Sequence, residues 1–178
     1  LQLDLQKQRM HILTSLLKLR QICNHPKLIS EFSNTAFSSS KCEYLFRHLS
    51  DLMDKNHQVV IFSQFTKMLD ILETELGQLN VPLYRIDGSV PGKRRAELIE
   101  SFQNANAAGI FLISLKAGGT GITLTAADYV FHVDPWWNPA VENQATDRIY
   151  RIGQTKKVFV YKLVSEGTIE EKIHDLQE

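Results

Sequence analysis

The sequence predicts an α/β domain of three layers, in which a mainly parallel sheet carries helices on both faces and follows an N-terminal helical segment. Short apolar runs alternate with helical patterns from Val59 onward, which is typical of β-α-β units with right-handed crossovers. The chain has 178 residues, of which 43% are apolar, so it can bury about two-thirds of its unfolded surface. No internal repeat or low-complexity tract favours another architecture.

Two helices are predicted before the first strand. The first runs from Gln2 to about Cys23 and ends at an Asn-His-Pro sequence, because a residue that precedes proline avoids the helical region. Ser33 to Ser40 is rich in serine and asparagine and predicts an exposed loop before a helix at about Cys42 to Lys55. That loop is the only plausible internal boundary. We therefore expect a helical lead-in segment and loop over residues 1–40 and the α/β domain over residues 41–178.

The rest of the chain supplies five apolar runs of strand length and three helical patterns between them. The apolar runs are Val59–Phe62, Pro82–Ile86, Ile110–Ile113, Tyr129–Val133 and Val158–Val164. The helical patterns are Thr66–Leu79 after the first run, Lys93–Phe102 after the second and Asn138–Ile152 after the fourth.

Unusual polar residues follow the ends of four of these runs. They are Ser63-Gln64, Asp87-Gly88, Ser114 with Lys116, and Asp134 with the tryptophan pair. Ligands of open parallel sheets bind outside the carboxyl ends of the strands. The sequence therefore predicts one functional edge of the sheet.

The last predicted helix carries a polar stripe. Asn138-Pro139 supplies an N-cap with proline at the first helical position, and Gly153 is placed for a C-terminal cap. The stripe at i, i+3, i+4 and i+7 is Gln144, Asp147, Arg148 and Arg151, and a second, apolar stripe is Val141, Ala145, Ile149 and Ile152. Two arginines on such a stripe indicate an anionic ligand or a second domain. The alternative is a solvated face with an Asp147–Arg151 pair.

A glycine-rich segment follows the third run. Lys116-Ala117-Gly118-Gly119-Thr120-Gly121 is suited to backbone contact with a phosphate, or simply to a tight turn. The nearest match to a Walker A motif, Gly88 to Arg94, is one residue short and lacks the Ser/Thr that holds magnesium. No Asp-Glu pair follows a strand. The chain therefore lacks a complete nucleoside-triphosphate site.

The two tryptophans of Asp134-Pro135-Trp136-Trp137-Asn138-Pro139 are costly to leave fully exposed. Both could cap the sheet edge as core residues. We predict instead that one lies in the core and the other at a nucleic-acid or interdomain surface.

Composition limits the partners. Twenty basic and twenty acidic residues cancel, so nucleic-acid binding requires a local patch. Cys23 and Cys42 are too few for a disulfide framework, and with His25 and His48 they give no regular zinc spacing, so no metal site is predicted. Neither a signal peptide nor an apolar run of membrane-spanning length is present, so we expect a soluble, intracellular protein without a membrane partner.

The motifs together resemble the second RecA-like lobe of a Swi/Snf-type ATPase in helicase superfamily two. They are L-R-Q-I-C-N-H-P, V-V-I-F-S-Q-F, R-x-D-G-S, S-L-K-A-G-G-T-G-I-T-L-T-A-A-D, D-P-W-W-N-P and Q-A-T-D-R-I-Y-R-I-G-Q, and they cover nearly the whole chain. The P-W-W-N-P-A-V-E form is more similar to bacterial and repair-type members than to many chromatin remodellers. The resemblance thus implies a RecA-like fold.

The resemblance also implies a double-stranded-DNA translocase with ATP between two lobes, of which this chain is the C-terminal one. Magnesium would be held by the first lobe, which is the expected partner, and the chain alone would be inactive. Depending on its source, it would work in the bacterial cytoplasm and nucleoid or in a eukaryotic nucleus. The implied site residues are Arg148 and Arg151 as arginine fingers, Gln144 and Gly121 beside the nucleotide, and Ser63, Gln64, Gly88, Lys116, Gly118 and Trp137 at DNA.

Two other functions are less consistent with the sequence. A non-catalytic DNA- or protein-binding adaptor would not need both arginines. A strand-separating RNA helicase lobe is disfavoured by the D-P-W-W-N-P and I-G-Q motifs.

Overall fold

A five-stranded parallel sheet organises the protein, whose structure is a computed structural model that describes residues 2–118, 122–149 and 155–177. The strand order is β2-β3-β1-β4-β5, and every pairing between described strands is parallel, as predicted. The strands are β1 (Gln58–Ser63), β2 (Leu83–Ile86), β3 (Gly109–Ser114), β4 (Tyr129–His132) and β5 (Phe159–Lys162).

Seven α-helices accompany the strands in the described residues. They are α1 (Gln2–Asn24), α2 (Ser40–Asp54), α3 (Thr66–Leu76), α4 (Gly92–Asn104), α5 (Leu115–Gly118), α6 (Pro139–Asp147) and α7 (Ile169–Asp175), with 3-10 turns at Pro26–Leu28, Ser30–Phe32 and Gly77–Leu79. Most bounds lie close to the predicted ones. The side chain of Ser39 caps α2 by accepting the N–H of Cys42, and Asn138 caps α6 by accepting the N–H of Ala140.

Three helices differ from the prediction. The four-residue α5 lies where only a glycine-rich segment was predicted. We predicted that the helix beginning at Asn138 continues to Ile152, but α6 ends at Asp147. The carbonyl of Arg148 accepts the N–H of Leu124 at 3.2 Å, so this carbonyl bonds a neighbouring segment. Helix α7 was not predicted, although Thr168 and Glu171 form a T-x-x-E capping signature at its start.

Two cores lie on opposite sides of the sheet because successive side chains of a strand point to opposite faces. Val59 and Ile61 of β1 pack with α2 and α3 in one cluster, whereas Val60 and Phe62 pack with residues of α4 and α6 in the other. The chain therefore leaves β1 toward one face and leaves β4, its neighbour, toward the other. This is the point at which open parallel sheets form a ligand crevice.

The lead-in segment is hydrogen-bonded to a buried ion pair of the domain. Lys41 at the start of α2 is 5% exposed, and its amine lies 2.6 Å from a carboxylate oxygen of Glu170 on α7, which is 1% exposed. The same amine donates to Asn24 Oδ1 at 3.0 Å and to the carbonyl of Val133 at 2.6 Å. One ammonium thus links the end of α1, the end of β4 and α7.

Among the residues that the structure describes, no helix is both long enough and apolar enough to cross a membrane.

We expect Lys41→Met to lower the free energy of unfolding by about 3–5 kcal/mol, because it leaves the Glu170 carboxylate buried without its cation. Urea denaturation measures this loss. Adding Glu170→Gln should recover part of the stability, since it removes the uncompensated charge.

The matched control is Lys18→Met, because Lys18 and Glu31 form a pair of similar length, 2.8 Å, whose side chains are 51% and 55% exposed. Its loss should stay below about 1 kcal/mol. Equal losses in the two single variants would contradict the role given to the buried pair.

Candidate functional site

A buried carboxylate joins the loops that follow β1 and β4. Asp134, which is 1% exposed, accepts the hydroxyl of Ser63 at 2.6 Å and the N–H of Gln64 at 3.0 Å. Asn24 on α1 donates to the same carboxylate at 3.4 Å. Burial raises the pKa of Asp134 to about 6, although the hydrogen bonds from Ser63 and Gln64 act to lower it. Ser63, the last residue of β1, is therefore a buried donor to Asp134, whereas Gln64 is partly exposed.

The tryptophan pair divides between core and surface, in agreement with the sequence prediction. Trp136 packs against the core cluster on the α4 and α6 side of the sheet. Trp137 is 46% exposed, and the guanidinium of Arg20 lies 5.2 Å from its ring centre. One face of the Trp137 indole is therefore supported by the protein while much of the side chain meets solvent.

The loop after β2 presents Gly88. Asp87 holds this loop by accepting the N–H of Ser89 at 2.9 Å and the Arg85 Nε–H at 3.0 Å, and the Ser89 hydroxyl bond is the main cause that lowers the pKa of Asp87. Arg95 donates to the carbonyl of Val90 at 2.8 Å. Gly88 is exposed, and a Cβ added there would meet no atom within 4 Å. Packing within the described chain does not require a glycine at this position.

The segment after β3 begins as a helical turn. Lys116 and Gly118 belong to α5, and the side chain of Lys116 is exposed. The buried Ser114 hydroxyl accepts the N–H of Ala117 at 3.2 Å and so fixes the start of the turn. Gly121, which was predicted beside the nucleotide, lies outside the described residues.

Four neighbouring strands thus end in the residues expected at DNA. Across the sheet the order is Gly88 after β2, Lys116 after β3, Gln64 after β1 and Trp137 after β4. The register aligns these ends, because Ser63 pairs with Ser114 and Phe62 pairs with His132. With strands about 4.8 Å apart, three spacings give a row about 14 Å long.

The expected nucleotide contacts are only partly described. Gln144 is exposed on α6, and so is Asp147, the last residue of that helix. Arg148, which follows Asp147, is half-buried. Arg151 lies outside the described residues.

A buried glutamate on α6 was missed by the sequence reasoning. Glu142 is fully buried, accepts the N–H of Trp136 at 2.7 Å and lies 3.1 Å from the amine of Lys162 on β5. It precedes the buried Ala145 by three residues and Ile149 by seven, so its position on the buried stripe was the available signal. Glu142 thus holds the backbone of the loop after β4 that carries Trp136 and Trp137, the tryptophan loop, against helix α6, which ends just before Arg148.

Three potential metal ligands meet elsewhere in the fold. Side-chain atoms of His25, Cys42 and Glu75 lie within 4.8 Å of one another. The sequence predicted no metal site from its cysteines and histidines, and Glu75 did not enter that prediction. His25 Nδ1 accepts the N–H of Lys27 at 3.1 Å, which leaves the proton of the neutral ring on Nε2. Burial lowers the pKa of His25 and raises the pKa of Cys42 to about 12. A protonated Nε2 and a neutral thiol do not favour metal binding.

Comparison with known proteins identifies the family of this chain. The model of the helicase conserved C-terminal domain matches residues 40–153. The putative ATP-dependent helicase/translocase YwqA of Bacillus subtilis is 45% identical over 166 residues, which are 91% of this chain and 18% of that protein. DNA repair protein RAD5 of Candida glabrata is 45% identical over 147 residues, which are 78% of this chain and 13% of that protein. The chain thus spans less than a fifth of either relative.

A solved structure with the same fold is the Sulfolobus solfataricus SWI2/SNF2 ATPase core in complex with dsDNA. Its TM-score is 0.80 at 38% identity, with 96% of this chain and 36% of that chain covered. Bacterial and repair-type relatives agree with the resemblance found in the motifs.

We expect the buried carboxylate of Asp134 to impose a pH dependence on stability. Its folded pKa, about 6, is above the unfolded value near 4, so the folded state holds the proton more tightly. The stability that this carboxyl contributes is complete below about pH 4 and is lost as pH rises through about 6. Relative to Asp134→Asn, the unfolding free energy should fall by about 3 kcal/mol across that interval, as measured by denaturation at several pH values.

The comparison with the variant is needed because His132 acts in the opposite direction. Burial lowers the pKa of His132 to about 4, so its contribution is lost as pH falls. Asp134→Asn leaves that contribution in place. Parallel pH profiles for the two proteins would contradict the buried, protonatable carboxyl.

Proposed function

This chain belongs to the helicase conserved C-terminal domain family as a Swi2/Snf2 ATPase C-terminal lobe, and from that premise we propose that it is the C-terminal motor lobe of an ATP-dependent double-stranded-DNA translocase. In this proposal the lobe contacts the DNA backbone at one edge of its sheet and supplies arginines to ATP held by the first lobe. We retain the division into a lead-in segment, residues 1–40, and the lobe proper, residues 41–178.

The row of residues at the carboxyl edge carries the proposal. Gly88, Lys116, Gln64 and Trp137 follow four adjacent strands, and they offer an unobstructed backbone, an exposed cation, an amide and an aromatic face. These groups can contact phosphate and sugar. The one side chain among them of a type that reads base edges, the Gln64 amide, is already bonded to Arg20 and to the carbonyl of Pro135. Binding is therefore proposed to be independent of sequence.

The charge distribution agrees with weak electrostatic binding by this lobe alone. The chain has no net charge at pH 7, so its field does not attract a polyanion from a distance. Lys116 is an exposed cation in the row, whereas Arg20, close to Trp137, is buried. We propose that firm DNA binding requires the first lobe as well.

The nucleotide side of the proposal rests on α6 and the residues after it. Arg148 and Arg151 are the proposed arginine fingers, and Gln144 and Gly121 are proposed to lie beside the nucleotide. Arg148 is half-buried, and its guanidinium suits a phosphate, since the planar fork offers two parallel N–H donors. The chain holds neither a Walker A motif nor an Asp-Glu pair, so Mg²⁺ and the triphosphate would be held chiefly by the first lobe, and bound ATP supplies the phosphoryl group that is transferred to water.

We expect Lys116→Ala to reduce the salt dependence of duplex binding by about one unit in the slope of log affinity against log salt, because one phosphate contact is lost. The measurement is duplex affinity at several salt concentrations with several unrelated sequences. The control is Lys55→Ala, since Lys55 is also exposed but lies just beyond α2 and before β1, away from the strand carboxyl ends. An unchanged slope for Lys116→Ala, or strong preference for one sequence, would contradict this DNA surface.

In the protein with both lobes, Arg148→Ala and Arg151→Ala should each reduce ATP turnover at least about a hundredfold with a much smaller change in ATP affinity, because a finger acts mainly on transition-state charge. Arg→Lys should rescue poorly, since an ammonium lacks the guanidinium fork. Phosphate release with and without duplex DNA measures turnover.

Arg47→Ala is the control for these variants, because Arg47 is exposed on α2, which packs on the opposite face of the sheet from α6. The chain alone should release no phosphate above background, with or without duplex. Near-normal turnover in one alanine variant would remove that arginine from the role.

DNA-stimulated hydrolysis by the chain alone would contradict the two-lobe mechanism. If the protein binds duplex DNA but ATP turnover depends on neither arginine, the adaptor function is favoured.

A further inference from the structure

Arg20 differs from the other basic residues of α1. Lys7, Arg9 and Lys18 are exposed, as expected for long charged side chains, whereas Arg20 is only 8% exposed. Burial lowers the pKa of Arg20, but arginine stays protonated in proteins. A cation has therefore been placed inside the fold, where its desolvation costs free energy.

The partners of Arg20 are not carboxylates. No carboxylate of a described residue lies within ion-pair distance of its guanidinium, although the charges of Asp134 and Glu170 act on it from further away. One terminal nitrogen instead donates to Gln64 Oε1 at 2.6 Å and to the carbonyl of Pro135 at 3.3 Å. A single arginine on α1 thus bonds both the loop after β1 and the loop after β4.

Two aromatic rings cover the guanidinium. Its central carbon lies 5.2 Å from the centre of the Trp137 ring and 5.9 Å from that of Phe65. Both distances fall within the range of cation–π attraction, which is stronger where water is excluded. The indole of Trp137 remains 46% exposed. Arg20 therefore supports an aromatic side chain that the rest of the loop leaves in solvent.

The other bonds of the loop do not reach this side chain. Asp134 fixes the start of the loop through Ser63 and Gln64, and Glu142 fixes the backbone N–H of Trp136. The cation–π contact of the Trp137 indole within the described part of the chain is with the guanidinium of Arg20. Without that guanidinium the indole would have more freedom about its side-chain torsions, and binding DNA would then require ordering it.

We propose that Arg20 is a positioning residue for DNA, which holds the Trp137 indole and the Gln64 amide in the orientation that meets the duplex without itself contacting phosphate. This rests on the proposed function of Trp137 as a DNA contact. Helix α1 would then influence the DNA contact, because Arg20 would transmit a shift of α1 to Trp137.

The first experiment measures the position of Trp137 without DNA. The chain has two tryptophans, so Trp136→Phe leaves Trp137 as the only indole. In that background Arg20→Met should increase the quenching of fluorescence by acrylamide by roughly twofold, because the supported face of the ring is released. Lys18→Met, which removes an exposed cation of the same helix, should leave quenching unchanged.

The second experiment is a double-mutant cycle of duplex binding with Trp136 intact. Arg20→Met should weaken the affinity for a short duplex of mixed sequence roughly fivefold, and less than about twofold when Trp137→Ala is already present. The salt slope should stay unchanged, since a positioning residue releases no counterion. Arg20→Lys should recover less than half of the lost affinity, because an ammonium cannot occupy the ring faces and also bond Gln64 and Pro135 as the fork does.

The outcomes separate this proposal from the one on which it rests. Each of three results for Arg20→Met would overturn the positioning role of Arg20. They are an equal loss of duplex affinity with and without Trp137, a salt slope reduced by about one unit, and unchanged acrylamide quenching. If Trp137→Ala binds duplex as well as the wild type, the DNA contact of Trp137 fails, and the quenching result still decides whether Arg20 positions the indole. Circular dichroism checks folding, and Arg20→Lys takes the place of Arg20→Met in every arm if the latter does not fold.

Discussion

The arrangement of helices α1 and α7 depends on the bonds made by the ammonium of Lys41. It bonds Asn24 on α1, the carbonyl of Val133 beyond β4 and Glu170 on α7, which come from widely separated parts of the sequence. A buried ammonium without these partners would cost several kcal/mol, so the partners have to be in place together. The lead-in helix and the C-terminal helix are thereby fixed against the end of one strand, and the tryptophan loop begins at that strand end.

The corner of the fold next to Lys41 contains more buried charge than stability alone explains. Asp134, Arg20 and Glu142 are all buried next to the loops that follow β1 and β4. Replacing such groups by well-packed apolar side chains is often neutral or stabilising, so their presence is weak support for a purely structural role. What they share is geometry, because each bonds a loop residue and so limits the orientation in which Gln64 or Trp137 is presented. Such fixed side-chain orientations agree with the proposed contact with duplex DNA.

The parts of the fold that sequence reasoning predicted are those with a local signal. The alternation of apolar runs and helices gave a parallel sheet with the polar residues on one edge, because each β-α-β unit is encoded within a few tens of residues. The division between Trp136 and Trp137 followed from the cost of exposing two indoles. Helix α7 carried a local signal, the capping signature at Thr168 and Glu171, which the motif search had not used. The early end of α6 carried none, because it accompanies a bond to Leu124 from another segment.

The sequence by itself therefore determined the fold class, the family and the edge of the sheet where the candidate site lies, since periodicity, turn chemistry and long ordered motifs are properties of neighbouring residues. Only the tertiary structure decided how that site is held. Arg20 and Gln64 are separated by 44 residues, and Lys41 and Glu170 by 129. Nothing in the local pattern of α1 marks Arg20 as buried beside Trp137. Contacts of this kind are fixed by which strands become neighbours and by the need of each buried charge for a partner, and both are settled only when the whole chain has packed.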